Sequence, residues 1–447
     1  MQSDLRRPLG PNEEVFHHLD ALSSPNFAIV ATVLGPLEDD AIVGALAHLQ
    51  RRHPILRATI HAPRWRAPRF APASTPIPYR RCDAAVRDAH RMVDNALQSC
   101  FLPGTPRLGV HRFAHGAACS TIALVLHHAI ADAKSGIFLL ADLLRVLRAM
   151  AEGAAPDTAS LQPLPYFEEL FPREYRGWRA VARYASALPQ VARIIGGNGY
   201  PVPLPAGPPA AFDPALRRLF SVRRVLEPDH TRHLVGRSRR AGTTVQGALQ
   251  AALIRAVAGE LPAAPGLPVG YGAAVDLRRA LAPPVGADCG LFVTGVGGVL
   301  RVRRDDAFWS LARAVRADLD RAFERRWQFF IAQVPHRWAA PLGRWLGARG
   351  ARTFGRFLHR SQWPMVLLTN IGQVTTPLAH GPFRVTELGF AVNPSAFRDL
   401  VATAATLDGR LALTVCGVAP RVLPDAVSRI ADHTVATLLR ELAPAED

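Results

Sequence analysis

Residues 124–135, LVLHHAIADAKS, decide how this chain is read. Residues 121–126 form a short, continuous apolar run, the pattern of a strand buried on both faces. Two histidines, His127 and His128, end the run, and Asp132 follows four residues after the second. Residues 135–150 then read as a strong helix, with apolar side chains at 139, 140, 143, 144 and 147. A strand end is rigid on one side and open to a cleft on the other, so a catalytic side chain is well placed there. Histidine is the natural general base near neutral pH. Spacing alone leaves two readings open, a catalytic base or a structural pair. His17-His18 is a second His-His pair, without such a context.

Working outward, residues 26–34 are apolar and rich in strand formers. Residues 37–52 have helical spacing, with Ile42, Leu46 and Leu49 on one face. Residues 55–60 and 108–114 read as strands and 84–97 as a helix. The stretch 196–214, GGNGYPVPLPAGPPAAFDP, is nearly free of charge, and its prolines favour neither helix nor sheet. It divides the chain into residues 1–195, a linker 196–214, and residues 215–447. In the second part, Thr243 and Gln246 fit a capping box opening a helix over 245–258. Residues 219–226, 268–275, 291–302, 365–369, 385–390, 400–406 and 411–415 read as strands, and 308–327 and 425–442 as helices. The two parts share this alternation without a sequence repeat, which predicts two α/β sandwich domains. A length of 447 residues agrees, since a single core rarely grows beyond about 250–300 residues.

The segment HHxxxDxxS at 127–135 resembles the HHxxxDG signature of the chloramphenicol acetyltransferase-like superfamily. That superfamily includes nonribosomal peptide condensation domains, wax ester synthases and polyketide-associated acyltransferases of the phthiocerol dimycocerosyl transferase kind. Other segments match in the same order. Residues 37–60, with RHPILR at 52–57, look like the opening strand-helix-strand. Val275-Asp276-Leu277-Arg278 is similar to the VDLR segment of the polyketide-associated branch, and Leu368-Thr-Asn-Ile-Gly372 to its (S/T)NxG segment. Leu407-Asp-Gly-Arg-Leu411 looks like its late hairpin. Together they span almost the whole chain.

The resemblance implies an α/β (α+β sandwich) fold: two acetyltransferase-like domains in a V-shaped pseudo-dimer, with an active-site tunnel between them. It implies that His128 is the general base, that His127 buttresses the loop, and that Asp132 is structural and pairs with Arg278. Asn370, on a crossover segment of the second half, and Ser135 would lie along the substrate tunnel. Ser135 also reads as the cap of the helix that follows it. The substrates implied are an acyl thioester, on coenzyme A or an acyl carrier protein, and an alcohol or amine acceptor. A thioester is already activated, so no metal or redox cofactor is expected. No GxSxG elbow is present, which favours direct transfer over an acyl-enzyme. Backbone amides of the 132–136 turn are candidate oxyanion donors.

Ala133 departs from the family pattern, where glycine follows the aspartate. A β-carbon at a position that needs glycine costs about 1 kcal/mol. The departure therefore allows a second class of function, a non-catalytic module that recruits a carrier protein. Ester formation is preferred to amide formation, because the VDLR and TNIG segments look closer to the polyketide-associated branch. A wax ester synthase is disfavoured by Ile371, where its usual proline is missing.

The formal net charge is +17, carried by one lysine, Lys134, and 52 arginines. Solvated arginines from a GC-rich coding sequence account for such a bias. The sharper reading is attraction to coenzyme A phosphates, an acidic carrier protein or an anionic membrane surface. Residues 336–360, HRWAAPLGRWLGARGARTFGRFLHR, interleave arginines with large apolar side chains, as a lipid or carrier contact would. Nucleic acid is not expected, since no zinc finger, RNA-binding signature or basic zipper helix is present. The five cysteines are scattered without metal spacing, and no apolar leader or membrane span is evident. The expectation is a reduced, cytoplasmic, monomeric enzyme.

Overall fold

An uninterrupted apolar strand must be covered on both faces, and Cys119–His127 is. Ile122, Leu124 and Leu126 enter one core, while Ala123 and Val125 enter another. The computed structural model describes residues 5–63, 66–73, 75–82, 86–157, 159–185, 214–261, 266–330, 345, 365–394 and 400–443. The linker read at 196–214 lies outside these residues except for Pro214, and so does the basic stretch 336–360 except for Trp345.

In chain order the first half gives α1 (Pro11–Leu19), β1 (Asn26–Leu34), α2 (Asp39–Arg52), β2 (Ala58–His61), β3 (Arg69–Pro72), β4 (Tyr79–Cys82), α3 (Val86–Gln98), β5 (Leu108–Ala114), β6 (Cys119–His127), α4 (Ala133–Ala151) and α5 (Gly177–Ala185). The second gives β7 (Arg218–Leu226), α6 (Pro228–Arg240), α7 (Val245–Gly259), β8 (Leu267–Asp276), β9 (Val293–Val302), α8 (Phe308–Glu324), β10 (Met365–Gln373), β11 (Ala379–His380), β12 (Phe383–Val392), β13 (Leu400–Leu407), β14 (Arg410–Ala419) and α9 (Pro424–Leu442).

Two six-stranded sheets result, β11-β12-β1-β6-β5-β4 and β7-β14-β13-β10-β8-β9, with β2 and β3 as a separate hairpin. In the first sheet, β1 pairs antiparallel with β6, and Asn26 faces His127. The side chains of β1 alternate as the pleat requires: Phe27, Ile29, Ala31 and Val33 join α2 and α4 in one core, and Ala28 joins α3 in the other. In α4, the apolar stripe Leu139, Leu140, Leu143, Leu144 and Leu147 is fully buried in that first core. In the second sheet, α7, α8 and α9 share a core with β8, β10, β13 and β14. The cap of α7 is Thr244, whose hydroxyl accepts from the Gly247 amide; the hydroxyl of Thr243 donates instead to the Ala312 carbonyl. This differs from the capping box read at Thr243 because Thr243 is drawn onto α8.

The halves are interlocked. The strand β10 runs parallel to β8 and β13, then the chain leaves its sheet. It adds β11 and β12 to the first sheet, with β12 antiparallel to β1, and returns as β13. The sequence division at 196–214 therefore separates the chain but not the sheets, since residues 379–392 complete the sheet of the first half.

A second link joins α3 to the edge strand β7. Asp94 accepts from the Ser221 amide at 3.0 Å and its hydroxyl at 2.6 Å, and Gln98 Oε1 accepts from the Leu219 amide. Burial pushes the Asp94 carboxyl up to about 6, against the pull of its Ser221 bonds. A raised carboxyl disfavours the folded state when ionised; that penalty is full above about 6 and is relieved as pH falls toward the unfolded value near 4. Asp94→Asn is therefore expected to raise the thermal midpoint at pH 8 and leave it nearly unchanged at pH 4.5. An equal shift at both values would remove the carboxylate from the account.

Candidate active site

The end of β6 is fixed through its backbone. The His127 amide donates to the Arg107 carbonyl at 3.0 Å, and the His128 amide to Pro25 at 3.1 Å. Beyond them, Ala129, Ile130 and Ala131 are fully buried, and Asp132 caps α4 by accepting from the Ser135 amide at 2.8 Å. Asp132 is thus the helix cap, a role the sequence suggested for Ser135, because α4 begins two residues earlier than the apolar pattern indicates. Ser135 is fully buried. Its hydroxyl donates to the Gly290 carbonyl at 2.8 Å and accepts from Arg278 Nη2 at 2.8 Å.

The structure places Arg278 directly on Asp132. Nη1 lies 2.7 Å from Oδ2 and Nη2 3.0 Å from Oδ1, a bidentate pair between residues 146 apart in the chain. The Phe292 amide donates to the same carboxylate at 3.0 Å, and the Phe292 ring lies under the guanidinium at 4.8 Å. Both charged groups are almost wholly buried. Asp132 thus directs its carboxylate into the junction of the halves. Beside it, Lys134 is paired with Asp276 at 2.7 Å.

The two histidines have different surroundings. His127 is fully buried, with Nε2 3.0 Å from Asp20 Oδ2 and Nδ1 accepting from the Ala129 amide at 3.0 Å. His128 is half-buried, and its ring lies between Phe16 at 4.9 Å and Phe27 at 4.7 Å. Its Nδ1 is buried. Burial pushes the His128 imidazole down to about 4, and His127 adds to the effect; Asp132 and the Ala131 backbone oppose it. The ring is therefore neutral at pH 7.

Asn370 lies at the end of β10. Its Oδ1 accepts from the Gly372 amide at 2.9 Å, where Gly372 takes a φ of +72° and the pairing of β10 with β13 slips. Pairing with β13 resumes at Gln373 opposite Thr406, and Ile371 and Val374 pack on the core of the first sheet. Asn370 therefore precedes the crossover strand β12 instead of lying on it. Ala133 is the first residue of α4. Among the described residues, positive φ outside glycine occurs only at Arg326 and Asp408, so the β-carbon at 133 meets no backbone strain. Of the amides in the 132–136 turn, those of Ser135 and Gly136 are taken by Asp132. Those of Ala133 and Lys134 open the helix and have no intrahelical acceptor.

This arrangement can be set beside known proteins. Residues 217–417 match the family model of the phthiocerol/phthiodiolone dimycocerosyl transferase C-terminus. The structure resembles polyketide synthase associated protein 5 from Mycobacterium tuberculosis, with a TM-score of 0.69 and 17% identity over 100% of both chains. The chain has the chloramphenicol acetyltransferase-like fold. The same fold relates it to the first condensation domain of the calcium-dependent antibiotic synthetase, with a TM-score of 0.70 and 17% identity over 99% of this chain and 98% of that one. It also relates it to a trichothecene 15-O-acetyltransferase from Fusarium sporotrichioides, with a TM-score of 0.70 and 13% identity over 98% and 95%. No curated protein sequence matches the chain.

Within this acetyltransferase-like fold, sequence reading missed the contribution of α1. Phe16 and Asp20 reach the two histidines, and His17 lies half-buried beside them, its imidazole pushed down to about 4 by burial and by His18. The buried guanidinium of Arg107 lies within electrostatic range of Asp20. The only sequence signal was the proximity of His17, His18 and Asp20 to one another. Nothing local joins that cluster to a strand 100 residues away. Among the described residues, no three His, Cys, Asp or Glu side chains are grouped to hold a metal, and no helix is long and apolar enough to cross a membrane.

Proposed function

We propose that the chain is an acyltransferase that moves an acyl group from a thioester, on coenzyme A or a carrier protein, directly to a hydroxyl. The observation that carries this reading is the His128 imidazole at a strand end, held against the rings of Phe16 and Phe27. Nε2 accepts the proton of the acceptor O–H as its oxygen attacks the thioester carbon. The C–S bond then breaks, and the departing sulfur takes the proton from the imidazolium. A base near 4 is weak in the free protein. Its conjugate acid becomes stable only beside the negative charge that develops on the substrate oxygen, so proton transfer and attack are coupled. Asp132 and Arg278 hold the loop and touch no reacting atom. The amides of Ala133 and Lys134 are candidate donors to the oxyanion.

The likenesses to a dimycocerosyl transferase family and to an O-acetyltransferase favour an alcohol acceptor in polyketide or other secondary-metabolite synthesis. The equally strong likeness to a condensation domain supports an amine as the second reading. A carrier-recruiting module without chemistry is the reading that Ala133 allows, and the unstrained backbone there favours an intact loop. The test is a panel of acyl-coenzyme A and acyl-carrier thioesters with alcohols and amines, read by mass spectrometry. The expected product is an ester. The acid limb of kcat/KM is expected near pH 4 rather than 6.5, because lowering the imidazole's proton affinity keeps the base active to lower pH. Binding of carrier protein without transfer from any donor would overturn the enzyme reading.

A further inference from the structure

Helix α1 presents two contacts to the histidine pair from one face. Phe16 stacks on His128 at 4.9 Å, and Asp20, four residues later with helical backbone angles, meets His127 at 3.0 Å. Residues four apart lie on the same side of a helix, so one rigid element registers both rings. The helix is itself anchored. Asn12 donates through its backbone and side-chain nitrogens to the buried Glu168, and Glu13 is paired with Arg7.

The hydrogen bonds fix the proton on His127. Its Nδ1 receives the Ala129 amide at 3.0 Å, so this nitrogen carries no hydrogen. Its Nε2 must then donate, and Asp20 Oδ2 is the acceptor. A doubly protonated ring would set two N–H groups against each other at Nδ1. The pair Asp20 and Ala129 therefore selects one neutral tautomer, and the Ala129 bond ties that tautomer to the loop that carries His128.

We infer that Asp20 is a positioning residue for the acyl transfer proposed above: through His127 and the Ala129 amide it holds the loop that aims the His128 imidazole. The inference rests on the reading of His128 as base, but its structural part stands apart from it. Asp20→Ala removes the acceptor. Asp20→Asn keeps a carbonyl oxygen of the same reach and removes the charge.

The test has two arms. In the full-length protein with isotope-labelled histidine, long-range nitrogen–proton NMR reports the His127 tautomer. The wild type is expected to show Nε2–H alone, with its proton moved downfield by the bond to the carboxylate; Asp20→Ala should keep the tautomer and lose that downfield shift, and Asp20→Asn should keep part of it. In the kinetic arm, Asp20→Ala is expected to lower kcat by about 10- to 100-fold, as misplacement of a catalytic group does, with KM for the thioester within about twofold. Asp20→Asn should recover most of the loss, which a purely structural role in packing α1 would not predict. An unchanged His127 spectrum in Asp20→Ala, or an unchanged kcat, would overturn the inference. If the wild type transfers no acyl group, the function reading fails while the NMR arm still decides whether Asp20 holds the His127 Nε2–H.

Discussion

Replacing His128 by alanine is expected to lower kcat/KM for acyl transfer by about 10²–10⁴-fold, the range of a positioned general base. The loss should appear in kcat, because the imidazole is engaged only as the acceptor oxygen gives up its proton. The fold should survive. The backbone amide of His128 still donates to Pro25, and the hydrogen bonds that hold the loop belong to His127 and Asp132. Alanine does leave the faces of Phe16 and Phe27 unfilled, which costs about 1–3 kcal/mol of stability. His128→Phe separates the two effects. It refills the space between the rings and restores the thermal midpoint, yet supplies no base and should be as inactive as alanine. Substantial transfer by His128→Phe would place the base elsewhere and remove the main support for the mechanism.

How far the sequence could carry this depends on where each signal resides. Strands β1 and β5 were legible to the residue, because burial on both faces or strict pleating leaves its mark on every side chain of the run. The helix stripe of α4 was legible for the same reason, and its start was not: a cap is chosen by one hydrogen bond, and both Asp132 and Ser135 are chemically able to make it. Membership of β12 in the first sheet has no local signature at all. Its residues read as a strand wherever they pair, and its place is set by pairing with β1 and by the packing of Ile371 and Val374 on the first core. The histidine motif stood out by sequence, but half of its surroundings did not. Phe16, Asp20 and Arg107 are ordinary residues in ordinary spacing, and only the docking of α1 against the end of β6 gives them a role.

The junction of the halves provides the second large effect. Arg278→Ala is expected to destabilise the protein by about 3–5 kcal/mol, because it strands a buried carboxylate. Asp132 would keep its bonds from the Ser135 and Phe292 amides, but nothing on its side of the junction would balance its charge. The Ser135 hydroxyl would lose a donor as well, and the Phe292 ring the cation that covers it. Arg278→Lys should lose less, since the charge remains, but a single ammonium cannot bridge both carboxylate oxygens as the planar guanidinium does. The double variant Asp132→Asn with Arg278→Ala removes the stranded charge, so it should be more stable than Arg278→Ala alone. Chemical denaturation of the wild type, Asp132→Asn, Arg278→Ala and the double variant gives the coupling energy directly. Additivity within about 0.5 kcal/mol would mean that the pair is a coincidence of packing rather than the tie between the histidine loop and the second half. A large coupling energy has a further consequence for activity. Since Asp132 closes the loop whose other end is His128, Arg278→Lys should lower kcat even where the protein remains fully folded, and the loss should track how far the loop is released.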